Sequence, residues 1–71
     1  MYREKVKSIL YHIKLRRQEL GYTQKYMAHK LCIHQNMYSK IEKNQVKFTA
    51  DVFLLICEVL EMDACKLLKL V

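Results

Sequence analysis

The sequence predicts an all-α fold, a compact bundle of five short helices, and three observations lead to this expectation. The 71 residues include no proline and a single glycine, so few positions would interrupt a helix. Apolar residues recur at spacings of three and four along most of the chain. Hydroxyl or carboxylate residues precede several of these runs, as helix caps commonly do. We expect a single domain over residues 1–71 with a thin core, because a chain this short buries a limited share of its surface.

The first half of the chain contains three of the predicted helices. The first spans residues 3–20 and ends at Gly21 in the left-handed conformation. Its core stripe comprises Val6, Ile9, Leu10, Ile13 and Leu20. Thr23 precedes the second helix, residues 24–31, and the third spans residues 34–43 with its cap counted. A tight turn at Cys32 and Ile33 joins these two helices, and Asn44 is the expected left-handed residue after the third.

The second half contains two more helices and is unusually apolar. Thr49 precedes the fourth helix, residues 50–60, and Asp63 caps the fifth, residues 64–70. Phe48 in the preceding loop is expected to anchor in the core. One small core does not need so many apolar residues, among them Leu55, Leu67, Leu68, Leu70 and Val71. The excess predicts a homodimer through helices 4 and 5 or a fragment of a longer protein. Alternatively, these side chains only cover the thin core.

Cysteine usage and hydropathy indicate a cytoplasmic protein. Three cysteines, at positions 32, 57 and 65, form no Cys-x-x-Cys pair, which predicts reduced thiols. No apolar run approaches the roughly 20 residues that span a bilayer. The N-terminal segment is charged where a signal peptide would be apolar.

The charge of the chain is positive and unevenly distributed. The formal net charge is +6, but residues 1–49 carry +8 and residues 50–71 carry −2. Such polarity is typical of a surface that faces a polyanion while the opposite side is close to neutral. The alternative is a small basic protein whose charges are simply solvated.

The segment from Thr23 to Glu42 carries the strongest functional signal. Apolar periodicity turns Met27, Ala28 and Leu31 inward, and after the turn it turns Tyr38 and Ile41 inward. The outward positions of the third helix are then Gln35, Asn36, Met37, Ser39 and Lys40. Amide side chains can exchange two hydrogen bonds with adenine, and an ammonium group can donate to guanine. This surface suits the edges of base pairs and offers little to catalysis.

These residues resemble a known family. The TQxxxAxxL pattern from Thr23, the IHQNMYSKIE segment, Arg17, Gly21 and the run ADVFLLICEVLEMD together resemble the phage-repressor, or Cro-like (XRE-type), helix-turn-helix DNA-binding domains. The resemblance covers residues 9–68. The family usually has glycine where Cys32 stands, often glycine where Asn44 stands, and often proline where Phe48 stands. It implies a lambda-repressor-like fold and a repressor-like transcriptional regulator of bacterial, phage or mobile-element origin that binds specific double-stranded DNA.

The resemblance also implies roles for individual residues. The base readers would be Gln35, Asn36 and Lys40, followed by Ser39 and Met37. The residues expected to touch phosphates are Thr23, Gln24, His34, Lys43 and Lys47. Arg17 and Glu42 would form a partly buried ion pair that joins the first and third helices, rather than Arg17 contacting DNA. Tyr38 stands where the family has an aliphatic core residue, and its hydroxyl is expected to reach solvent or backbone.

Other function classes remain open with less support. A protein-interaction module, such as the antitoxin of a toxin–antitoxin pair, would use the apolar surface of helices 4 and 5. A redox or metal sensor could use Cys32 with His29 and His34, although their spacing matches no familiar zinc site and a fourth ligand is missing. We expect no enzyme, cofactor or bound metal, because no catalytic constellation or Gly-rich phosphate loop is present.

Overall fold

The computed structural model describes residues 2–47 and 49–70, without the side chains of Tyr2, Arg3 and Leu70. Every regular element in these ranges is a helix: α1 (Tyr2–Glu19), α2 (Gln24–Lys30), α3 (Gln35–Glu42), α4 (Ala50–Val59) and α5 (Ala64–Leu70). The predicted all-α, five-helix fold is therefore confirmed, with helix ends within one or two residues of expectation. The radius of gyration of the Cα atoms is 11.2 Å. The predictions for Phe48 and Val71 lie outside the described residues.

The core forms between the helices, with α3 packed against α1 and α2, α4 against α2, and α5 against α1. It contains Ile9, Leu10, Ile13, Met27, Ala28, Tyr38, Ile41, Ile56, Cys57, Leu60 and Leu67. The α1 stripe is buried at its centre, whereas Val6 and Leu20 are partly covered at its two ends. Tyr38 is completely buried, as are Ile13 and Leu60. Because Tyr38 and Ile41 point into this core, the opposite face of α3 is fixed outward.

The first four helices end in the same backbone motif. The residue that follows the last turn is left-handed in each case: Gly21 (φ 76°), Cys32 (φ 57°), Asn44 (φ 59°) and Glu61 (φ 54°). The next amide then donates back to a carbonyl five residues earlier, with N–O distances of 3.0, 3.0, 2.8 and 2.8 Å for Tyr22–Arg17, Ile33–Ala28, Gln45–Lys40 and Met62–Cys57. These are Schellman caps, which satisfy the last carbonyls of a helix. The sequence indicated Gly21 and Asn44, but the caps at Cys32 and Glu61 use residues that disfavour positive φ.

Two of the four helix starts from α2 to α5 have a side-chain capping bond. Thr23 Oγ1 accepts a hydrogen bond from the Tyr26 amide at 2.9 Å. Asp63 Oδ1 accepts from the Cys65 and Lys66 amides at 2.9 and 3.1 Å. Thr49 has the extended backbone of a cap residue but no side-chain capping bond. His34 likewise occupies the cap position of α3 without a side-chain bond, consistent with imidazole being a poor cap.

Candidate nucleic-acid interface

The outward face of α3 carries the polar side chains that the sequence singled out. We call the five residues Gln35, Asn36, Met37, Ser39 and Lys40 the recognition ridge. Gln35, Asn36, Met37 and Lys40 are exposed, and Ser39 is partly covered. Positions 35 and 39, and positions 36 and 40, lie one turn apart and therefore share a face. The ridge thus presents two amides, a hydroxyl and an ammonium side by side to solvent, with the Met37 thioether beside them.

Beneath the ridge, the Glu42 carboxylate is the centre of a hydrogen-bond network. Arg17 donates to it from Nε to Oε2 at 2.7 Å and from Nη2 to Oε1 at 3.3 Å. The Tyr38 hydroxyl donates to Oε2 at 2.6 Å, and Gln24 Nε2 donates to Oε1 at 3.2 Å. The expected ion pair between Arg17 and Glu42 is present, with the two side chains only 10% and 4% exposed. One carboxylate therefore links α1, the start of α2, and α3.

The charge state of this network follows from its contacts. Burial alone would raise the pKa of Glu42, but the hydrogen bonds from Arg17, Tyr38 and Gln24 outweigh burial and lower that pKa below its ordinary value. Burial, and then the bond to Glu42, raise the pKa of Tyr38. The carboxylate is therefore ionised and the phenol neutral at physiological pH. Arg17 has a further acceptor, because its Nη1 donates to the Tyr22 carbonyl at 2.8 Å.

The network corrects the expectation for Tyr38 and adds a contact for Gln24. The Tyr38 hydroxyl reaches neither solvent nor backbone, because Glu42 lies one helical turn further on and accepts a hydrogen bond from it. Gln24 is half-buried and donates one amide hydrogen to Glu42, and its contact with phosphate stays a prediction. The second amide hydrogen of Gln24 is not used in that bond. Gln24 is therefore fixed in position relative to α3.

The remaining residues predicted to touch phosphates lie at the surface around the ridge. Thr23, His34, Lys43 and Lys47 are all exposed. His34 directly precedes α3, and Lys43 directly follows it. Arg17 balances the charge of Glu42, so this carboxylate does not offset the positive charge of the lysines near the end of α3. The ridge is thus bordered by positive charge.

Helix α1 also contributes to this side of the molecule, beyond the residues predicted to read bases or touch phosphates. Lys7, Tyr11 and Lys14 of α1 line one shallow groove together with Lys43 and Asn44, which follow α3. The spacing of four and three among these α1 residues was a readable sign that they share a face. Their proximity to Lys43 was not readable, because it depends on how α1 packs against α3.

The structure gives no support to the metal-site alternative. Among residues 2–47 and 49–70, no group of three or more His, Cys, Asp or Glu side chains is placed to hold a metal ion. His29, Cys32 and His34 are therefore not brought together as ligands. Cys32 and Cys65 are free and exposed, whereas Cys57 is buried as expected. Within the same ranges, no helix has both the length and the apolar character that a membrane crossing requires.

Comparison with known proteins identifies the family. Residues 13–67 match the model of a helix-turn-helix family, and this range includes α2, α3 and the network around Glu42. No curated protein and no solved structure matches the chain. The matched range covers most of the 71 residues and contains the exposed ridge as well as the helices that support it. The chain therefore belongs to this helix-turn-helix family, with a Cro/XRE-like domain of the DNA-binding, transcription-regulator type.

Proposed function

We propose that this protein is a repressor-like transcriptional regulator that binds a specific double-stranded DNA site with α3 in the major groove. The exposed recognition ridge is the observation that carries the proposal. A helix fits the width of the major groove, and the residues near its N-terminus reach the base edges first. The mechanism is passive: the bound protein blocks or recruits polymerase, and no covalent chemistry is involved.

The ridge side chains differ in what they can read. Gln35 and Asn36 each carry a donor and an acceptor that match the N6 and N7 atoms of adenine. Lys40 can donate to O6 and N7 of guanine, and Met37 can contact a thymine methyl group. Ser39 is partly covered, and its short side chain can contact only base edges that lie close to α3. Each good bidentate contact would contribute about 1–3 kcal/mol of discrimination against the wrong base.

Phosphate contacts would fix the orientation without reading sequence. Thr23 and Gln24 at the start of α2, His34 at the start of α3, and Lys43 and Lys47 in the following loop would serve this role. Support comes from their position around the ridge and from the exposure of four of the five. The bond from Gln24 to Glu42 would hold that amide ready for a phosphate oxygen.

We further propose that the protein acts as a homodimer through α4 and α5 in the cytoplasm of a bacterium, phage host or carrier of a mobile element. Leu54, Leu55 and Leu68 are 57%, 49% and 44% exposed on these helices. A two-fold dimer would place its recognition helices about 34 Å apart and would favour a palindromic operator.

Selection of binding sites from random double-stranded DNA tests this proposal. The expected result is enrichment of one palindromic motif. Against that motif, Asn36→Ala is expected to lose about 5- to 150-fold in affinity, which corresponds to about 1–3 kcal/mol. The Gln18→Ala variant, which changes an exposed α1 residue outside the ridge and the proposed dimer surface, is the control and should bind like wild type. With about six phosphate contacts, the slope of log affinity against log salt should be near −5. Absence of an enriched motif, or binding that does not respond to salt, would refute the proposal.

The exposed leucines also favour a second candidate function, a protein-interaction module such as an antitoxin. In that case α4 and α5 would bind a different protein, and DNA binding would serve autoregulation. The test is co-purification with the product of the neighbouring gene, using Leu54→Ser/Leu55→Ser as the disrupting variant. A complex that the double variant abolishes supports this candidate. If no complex with another protein forms and the same variant dissociates a homodimer, the result favours a homodimeric regulator without a protein partner of this kind.

A further inference from the structure

A groove on the α1 side of the molecule is lined mostly by residues outside the proposed base-reading and phosphate-binding set. We call it the α1 groove. It is lined by Lys7, Leu10, Tyr11 and Lys14 of α1, by Glu42 at the end of α3, and by Lys43 and Asn44. Its volume is about 310 Å³, and it is open to solvent. Such a groove suits an extended polar chain better than an enclosed small molecule.

The sequence of α1 divides its residues between this groove and the core. Ile9, Leu10, Ile13 and Arg17 are buried on one side of the helix. Lys7, Tyr11 and Lys14 follow each other at spacings of four and three, and all three are exposed. The helix therefore presents an ammonium, a phenol and a second ammonium in a line along its outer face.

The electrostatics of the groove are strongly positive. Three lysines, Lys7, Lys14 and Lys43, line it. Glu42 is the one acidic residue of the lining, and its charge is already matched by Arg17, which donates two hydrogen bonds to it. Glu4 lies one turn before Lys7 and interacts with its charge, but Glu4 does not itself line the groove. The groove therefore carries a net positive charge from its three lysines, and it is complementary to a polyanion.

The position of the groove identifies the polyanion. Lys43 and Asn44 belong both to the groove and to the segment that directly follows α3. Nucleic acid engaged by the ridge would have its sugar–phosphate backbone next to that end of α3. We propose that the α1 groove binds this backbone, with Lys7 and Lys14 donating to phosphodiester oxygens and Tyr11 donating its hydroxyl to a third. This inference rests on the proposed DNA-binding function and extends its interface from the helix-turn-helix to α1.

Salt dependence of DNA binding tests the inference with a matched pair of variants. Lys7→Ala/Lys14→Ala removes the two α1 ammonium groups. Lys5→Ala/Lys30→Ala removes the same number of exposed charges outside both the groove and the proposed dimer helices. Each phosphate contact contributes about 0.9 to the slope of log affinity against log salt. The Lys7→Ala/Lys14→Ala variant should therefore have a slope shallower than wild type by about 2 per bound protomer, whereas the Lys5→Ala/Lys30→Ala variant should keep the wild-type slope.

A third variant separates charge from hydrogen bonding. Tyr11→Phe removes a neutral donor, so it should weaken binding without changing the salt slope. All substituted side chains are exposed, and a thermal melt of each variant should match wild type. If wild type binds DNA and the Lys7→Ala/Lys14→Ala variant has the same salt slope as wild type, this inference is overturned but the proposed function is not. An equal decrease of the salt slope in both double variants would also overturn this inference, because the slope would then depend only on the net charge of the protein. No binding by wild type at all would overturn the proposed function together with this extension.

Discussion

Replacing Glu42 by alanine is the most demanding test of how this fold is held together. The substitution removes the acceptor of four hydrogen bonds from Arg17, Tyr38 and Gln24. It leaves the Arg17 guanidinium, whose side chain is only 10% exposed, without its counter-charge. Removing one partner of a buried ion pair costs about 3–5 kcal/mol, because the remaining charge is desolvated and unpaired. We expect a loss of stability of that size.

The expected change is large compared with the total stability of the domain. A domain of 71 residues is stable by about 4–10 kcal/mol. A loss of 1 kcal/mol lowers the Tm of a domain this small by about 4–8 °C. The Glu42→Ala variant should therefore melt roughly 12–40 °C below wild type, or be unfolded already at room temperature.

The assay is thermal unfolding followed by circular dichroism, with Glu58→Ala as the matched control. Glu58 is an exposed carboxylate on α4, and its removal should change stability by no more than about 0.5 kcal/mol. The paired replacement Arg17→Met/Glu42→Leu should be less destabilising than the sum of its single changes, because no charge is left buried. A Tm for Glu42→Ala within about 5 °C of wild type would refute the reasoning. Where enough folded protein remains, the sequence preference in DNA binding should change less than the affinity.

Two further predictions follow from the same structure. Because the pKa of Glu42 is lowered in the folded state, its stabilisation is complete above its ordinary value of 4.5 and is lost as the pH falls through the lowered folded value. Tm measured from pH 6 down to pH 2 should therefore fall more steeply for wild type than for Glu42→Gln, and equal curves would contradict the assignment. Cys32 adopts a φ of 57°, which costs a non-glycine residue about 1 kcal/mol, so Cys32→Gly should raise Tm by a few degrees while Cys32→Ala should not. Destabilisation by the glycine would show that the turn is not strained.

Much of the local structure was readable from the sequence because it depends on neighbours in the chain. Thr23 and Asp63 cap the helices that they precede, since a side-chain oxygen reaches an amide two or three residues away. Gly21 and Asn44 adopt the left-handed conformation that their types permit. The polar face of α3 followed from helical periodicity once Tyr38 and Ile41 were assigned to the core. Thr49 precedes α4 as expected, but its side chain makes no capping bond.

Contacts between distant parts of the chain were decided only by the tertiary structure. The Tyr38 hydroxyl and the Gln24 amide both turn toward Glu42, because a buried carboxylate needs several donors and these lie within reach only after α1, α2 and α3 have packed. Lys7 and Lys14 come to the same groove as Lys43 through the packing of α1 on α3, across about 30–36 residues of sequence. The sequence by itself determined which residues face outward, since that follows from periodicity. Which outward residues become neighbours required the tertiary structure, since that depends on the angle and offset at which the helices pack.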